Sequence, residues 1–179
     1  MKIINATIKG IVPMLMHSPS GIKDESTKKQ SGKQDYTKEA ETALYKNPDG
    51  SIYFPSTWIE GTLKKASTNF KIPGRGKKTY KDLMLSSVII DPENIPLISK
   101  GYEVDARVVK VGQSRIIRYR PIFKKWEAIF TINVLDDQID HSALKEILEY
   151  AGKYVGIGDY RPKFGRFEIS AFGEKKTKS

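Results

Sequence analysis

The sequence predicts one α+β domain whose firm elements run in the order βαββαβ. Three observations carry that prediction. Residues 2–12, 102–111, 125–135 and 166–172 alternate apolar and polar side chains with a period of two, as strands do. Residues 57–69 and 142–152 repeat their apolar side chains at helical spacing. Each helix also separates two of the extended segments, which suits an antiparallel sheet with both helices on one face.

The first strand, 2–12, places Ile4, Ala6, Ile8 and Gly10 on one face, and Met14, Leu15 and Met16 prolong it after Pro13. Residues 17–38 are polar, lysine-bearing and without period, which predicts a long flexible loop. A short helix suits 38–45, and Asn47-Pro48-Asp49-Gly50 is a turn. Ile52-Tyr53-Phe54 is a short extended piece that stops at Pro55. In the first firm helix Thr57 and Glu60 have capping-box spacing, and Ile59, Leu63, Ala66 and Phe70 share a face. A basic insertion of about 71–101 follows. It opens with an acid-free loop, 71–81, holds a small strand at 86–90 and then reads as irregular around Pro92 and Pro96.

Tyr102, Val104, Ala106 and Val108 alternate with mostly charged residues and supply the second sheet strand. Gly112-Gln113-Ser114 is a turn, and 115–120 is a basic extended stretch ending at Pro121. Trp126, Ala128, Phe130, Ile132 and Val134 give the third strand. Asp140 caps the second helix, whose apolar face is Leu144, Ile147, Leu148 and Ala151, and Gly152 closes it. Phe167, Ile169 and Ala171 mark the last strand, and 174–179 form a frayed lysine-rich tail. The result is a ferredoxin-like or RRM-like sheet with long insertions, spanning 1–179 as a single domain. The sheet face away from the helices is left for a ligand.

Charge narrows the function. The 179 residues carry a formal net charge of +10, which favours a polyanionic partner through release of its counterions. The chain has no cysteine, so disulfides, thiolate zinc sites and cysteine nucleophiles are excluded. No metal-ligand cluster appears, and neither a metal nor a cofactor is expected. The opening Met1-Lys2-Ile3-Ile4-Asn5 lacks a signal-peptide pattern, and no apolar run approaches a membrane span. A cytoplasmic location with no membrane partner is the expectation.

Four basic features could grip a strand of nucleic acid. The segment from Gly156 to Phe167 follows a helix and precedes a strand. Gly156, Gly158 and Gly165 allow close backbone approach, Arg161, Lys163 and Arg166 add charge, and Tyr160 and Phe164 offer flat rings. Its glycines fit neither a Walker loop nor a dinucleotide fingerprint. Arg115, Arg118 and Arg120, with Tyr119 among them and Arg107 on the preceding strand, form an arginine ribbon suited to phosphates and bases. Lys77 and Lys78 lie in the first basic loop, and the 17–38 loop would be a second clamp. No catalytic constellation is assembled. The residues that would serve are His17, in a metal-independent cleavage, or Asp24 and Asp35, aspartates of the long loop. His141 reads as a residue at a helix start.

The fold order and the glycine segment together resemble the RAMP superfamily, the ferredoxin-like RNA-binding proteins of CRISPR systems. Gly156-Ile157-Gly158 through Phe164-Gly165-Arg166-Phe167 is similar to the glycine-rich loop those proteins carry between last helix and last strand. The run Gly50-Ser51-Ile52-Tyr53-Phe54-Pro55-Ser56-Thr57-Trp58-Ile59-Glu60-Gly61-Thr62-Leu63 resembles a segment of the backbone subunits that coat CRISPR RNA. It departs from them at Ser56 and Glu60, where the family commonly has glycine and lysine. The resemblance implies binding of single-stranded RNA, with single-stranded DNA as the alternative strand, by a homo-oligomer or within a multi-subunit ribonucleoprotein. The compact size suits a stand-alone relative such as one encoded by a phage or mobile element. Two other functions remain open at this point: a metal-independent endoribonuclease, and a structural or assembly protein of a phage or effector complex.

Overall fold

A computed structural model describes residues 1–19 and 36–174. Asp24, Asp35 and the lysine-rich end at 175–178 lie outside the described residues, as does most of the expected 17–38 loop. The described chain forms two antiparallel sheets and a helical layer. The main sheet contains β1 (Lys2–Gly10), β8 (Trp126–Val134) and β9 (Phe167–Glu174), with β1 between the other two. Beyond β8 the next place is shared by β4 (Val88–Asp91) and β5 (Asn94–Ser99), and β3 (Tyr53–Pro55) pairs outside β5. The helices α2 (Thr57–Ser67) and α4 (His141–Tyr150) lie between strands in chain order as expected. The ferredoxin-like α+β class is therefore observed.

One strand is not the one expected. Residues 102–111 are not in the main sheet. They form β6 (Glu103–Val111), which pairs with β7 (Ser114–Phe123) in a hairpin, and β7 in turn pairs with β2 (Met14–Leu15). The main sheet takes instead β4, at the small strand expected over 86–90, and β5, from the stretch whose prolines suggested irregularity. Pro96 is tolerated because Asn94–Pro96 pair only with β3, while Leu97–Ser99 pair with β8. The expected insertion at 71–101 is thus a loop only in its first part. It passes through α3 (Lys81–Ser87) into two sheet strands.

The core fills the space between sheet and helices. Ile4, Ala6 and Ile8 of β1 and Ala128, Phe130 and Ile132 of β8 are buried against Ile59, Leu63, Ala66, Leu144, Ile147 and Leu148. Gly10 is required where it is, because a Cβ there would meet the Trp126 indole at 2.2 Å. The opposite sheet face is open among the described residues, but it is not basic. It presents exposed Ile89, Ile98 and Ile129, with Thr131 donating to Asn5 Oδ1 at 3.2 Å and Asn133 donating to Asp91.

Two helix ends differ from expectation. Ser56, not Thr57, is the N-cap of α2, and its side chain makes no capping hydrogen bond, so the capping box does not form. Asp140 does cap α4, accepting from Ala143 N at 2.7 Å. Gly152 does not end that helix. The chain continues through a π turn, Ala151–Val155, in which Gly152 packs against Phe167, and Gly156 at φ 73° closes it. The short helix expected at 38–45 is α1 (Tyr36–Thr42), and it packs on the hairpin.

Candidate nucleic-acid interface

The glycine segment and the arginine hairpin are built into one surface. Glycine makes the close packing beneath it possible. Gly165 sits at φ 74°, and a Cβ there would lie 1.7 Å from Ile157 O. Gly158 at φ 79° brings the chain against Leu15 O, where a Cβ would lie at 2.6 Å. Backbone bonds then stitch the segment to the end of the first strand. Asp159 N donates to Leu15 O and Gly165 N to Pro13 O, both at 2.9 Å. From below, buried Thr62 of α2 donates to Gly156 O at 2.8 Å, and Trp58 packs near Gly158.

β2 is the common neighbour, since Met14 and Leu15 pair with Phe123 and Ile122 of β7. The pairing brings the inner face of the hairpin to the glycine segment. On that face Asp105 stands opposite Arg120 and Arg107 opposite Arg118. The Arg107 guanidinium lies 4.5 Å over the Phe164 ring and is held in orientation by two bonds to Asp105, at 2.7 and 3.0 Å. The Arg120 Nη1 lies 2.8 Å from Asp159 Oδ2, and Arg120 is 7% exposed. The approach is close, but its direction is wrong for a hydrogen bond. Nε and Nη1 of Arg120 therefore have no hydrogen-bond acceptor among the described residues.

Asp159 is the hub of this junction. Its Oδ1 accepts from Tyr160 N at 2.8 Å, and its Oδ2 lies 3.8 Å from His17 Nδ1. The His17 imidazole, and after it the Arg120 guanidinium and the Tyr160 N–H, hold the carboxyl below the ordinary carboxylate range against the opposing effect of burial. At 3.8 Å the His17 contact is long for a hydrogen bond, so Arg120 is the firmer partner. Burial, and after it the like charge of Arg120, push the Arg118 guanidinium down from its ordinary value. Arg107, Arg118 and Arg120 thus share the inner hairpin face with Glu103 and Asp105.

The expected site residues divide accordingly. Arg107, Arg118, Arg120, Gly156, Gly158, Tyr160, Phe164, Gly165 and Arg166 belong to this junction. Arg161 and Lys163 are exposed on the glycine segment, and Arg115 is exposed near the hairpin tip. Phe164 is buried beneath Arg107 and meets Tyr160 edge-on, so its ring supports the surface rather than offering a free stacking platform. Tyr160 is half exposed, while Arg166 Nε donates to Pro162 O at 2.8 Å and steadies the loop. Tyr119 lies opposite Ala106 on the other hairpin face, and its N–H donates to Glu39 Oε1 at 3.3 Å.

Lys77 and Lys78 do not join the junction. Their loop is anchored through Arg75, which donates to Gln138 Oε1 at 2.8 Å just past the Val134 end of β8. Val134 pairs with Lys2, whereas the glycine segment meets β1 at Gly10. Those are opposite ends of a strand roughly 27 Å long. No three acidic or histidine side chains are grouped to hold a metal ion among the described residues. No helix among them is long and apolar enough to cross a membrane.

Sequence reasoning missed Asp159, Thr62 and Trp58. The signal for Asp159 was present, since a lone carboxylate inside a basic glycine segment must be compensating some cation. Nothing local pointed to Arg120 as that cation.

No protein-family model matches the chain, and no curated protein matches it. Solved structures do. A chain in the cryo-EM structure of the type III-B Cmr-beta bound to cognate target RNA is 13% identical with a TM-score of 0.61, and the match covers 97% of this chain. This chain spans only 60% of that one. The crystal structure of Cmr6 from Pyrococcus furiosus is 11% identical with a TM-score of 0.48, covering 94% of this chain and 98% of that one. The protein therefore shares the ferredoxin-like fold of that type III-B Cmr-beta chain, in line with the resemblance seen in its sequence.

Proposed function

We propose that the protein binds single-stranded RNA across the junction of the arginine hairpin and the glycine segment, as one subunit of a ribonucleoprotein. One observation carries this reading: the packing of Arg107 on Phe164 and of Arg120 on Asp159 fuses two basic segments, distant in sequence, into one surface. A strand laid there meets Arg107, Arg118, Arg161 and Lys163, with Tyr160 half exposed for stacking, while Arg115, opposite Lys110, lies on the outer hairpin face.

Other subunits have a surface to cover. The outer hairpin face exposes Val104, Val108 and Ile117. An apolar strand face left in water is a feature of association sites.

Fluorescence anisotropy with a labelled 15-nucleotide RNA tests the proposal. Single-stranded RNA is expected to bind at least about tenfold more tightly than the same sequence as a duplex, because unstacked bases are available only in the single strand. Equal affinity for both forms would contradict it.

A further inference from the structure

A second concavity opens beside the junction, between α2, the π turn and the glycine segment. Its volume is about 310 Å³, at the lower limit for a small-molecule site and enough for one nucleotide-sized group. Lys65, Tyr154, Gly158, Asp159, Tyr160 and Arg161 line it. The core does not call for these side chains. Val155, Gly156 and Ile157 between them are buried, yet Tyr154 and Tyr160 are 52% and 48% exposed. Tyr160 adopts φ 60°, a conformation unusual for a residue with a side chain, and it is held there by the Asp159 carboxylate. The Lys153 ammonium lies 5.4 Å over the Tyr154 ring, and Tyr150 packs on the same ring at 4.6 Å.

We infer that this pocket takes one nucleoside phosphate, with the phosphate at Lys65 and Arg161 and the base against Tyr154 or Tyr160. The inference deepens the strand-binding reading and rests on it for the source of the nucleotide. An ionised carboxylate accepts hydrogen bonds and cannot donate them, so Asp159 favours a base with an exocyclic amino group. Uracil can also donate, through N3–H, but that donor is flanked by two carbonyl oxygens that the carboxylate repels, so uracil is disfavoured.

Titration of the whole protein with 5′-CMP and 5′-UMP, followed by ³¹P NMR, tests this. CMP is expected to shift and saturate, with UMP at least about fivefold weaker. Lys65→Ala and Tyr154→Ala, both at exposed positions outside the strand-binding set, are expected to weaken CMP about tenfold. CMP binding that survives both substitutions would overturn the location, and equal binding of UMP would overturn the role of Asp159. If the 15-nucleotide RNA binds and no mononucleotide does, the pocket is wrong and strand binding stands. If CMP binds with the expected dependence on Lys65 and the RNA does not bind, the pocket stands as a site for free nucleotide and strand binding is wrong.

Discussion

Arg120 on β7 and Asp159 in the glycine segment lie 2.8 Å apart, and this pair joins the hairpin to the domain. The arginine side chain is 8% exposed and the carboxylate 34% exposed, so loss of either partner leaves the other poorly compensated. Asp159→Ala is expected to lower the unfolding free energy by about 1–3 kcal/mol, read by urea denaturation. Arg120→Met combined with Asp159→Asn is expected to recover part of that loss. Simple additivity of the two substitutions would show that the pair is not coupled.

Acid should act on the same carboxylate. Its folded pKa is lowered, chiefly by His17 and then by Arg120. A lowered carboxyl contributes stability that is complete above its unfolded value, about 3.9, and is lost as the pH falls through the folded value. Thermal melts from pH 6 down to pH 2 are expected to show a shallower acid limb for Asp159→Asn than for the parent. Asp140, lowered by its cap bonds to Ala143 and Ser142, contributes to the same limb in both proteins.

Two glycines should respond in opposite directions. Gly165→Ala places a methyl 1.7 Å from Ile157 O at φ 74° and is expected to cost more than about 2 kcal/mol. Gly61 sits inside α2 with nothing within 4 Å of an added Cβ, and Gly61→Ala is expected to raise stability by about 0.5–1 kcal/mol. Melting temperatures of the two variants check both signs.

The helices and three of the main strands were legible in the sequence because their apolar faces repeat without interruption. Ile59, Leu63 and Ala66 are buried as their spacing requires, and so are Phe130 and Ile132. β5 was not legible, since Pro92 and Pro96 mask a strand whose halves pair on different sides. The alternation of Val104, Ala106 and Val108 was read correctly as a strand but placed in the wrong sheet. A period of two tells which residues share a face and not what covers that face. The glycine segment was placed correctly between last helix and last strand, but its partners Leu15, Thr62 and Arg120 come from distant segments that no local pattern connects.

The separation of the basic loops gives a discriminating pair of variants. Lys77→Ala with Lys78→Ala alters charge at the far end of the sheet, near Gln138. Arg161→Ala with Lys163→Ala removes the same charge at the junction. The second pair is expected to weaken RNA binding about tenfold or more and the first pair less than about threefold, measured by anisotropy at fixed salt.

The most direct measurement is the affinity for single-stranded RNA as a function of salt. Contacts from Arg107, Arg118, Arg161 and Lys163 predict that log K falls linearly with log salt, at about −0.7 per phosphate neutralised. A total slope of roughly −2 to −3 is the expected result, reduced by about one contact's share in Lys163→Ala. Absence of binding at low salt, or binding that does not change with salt, would contradict the account.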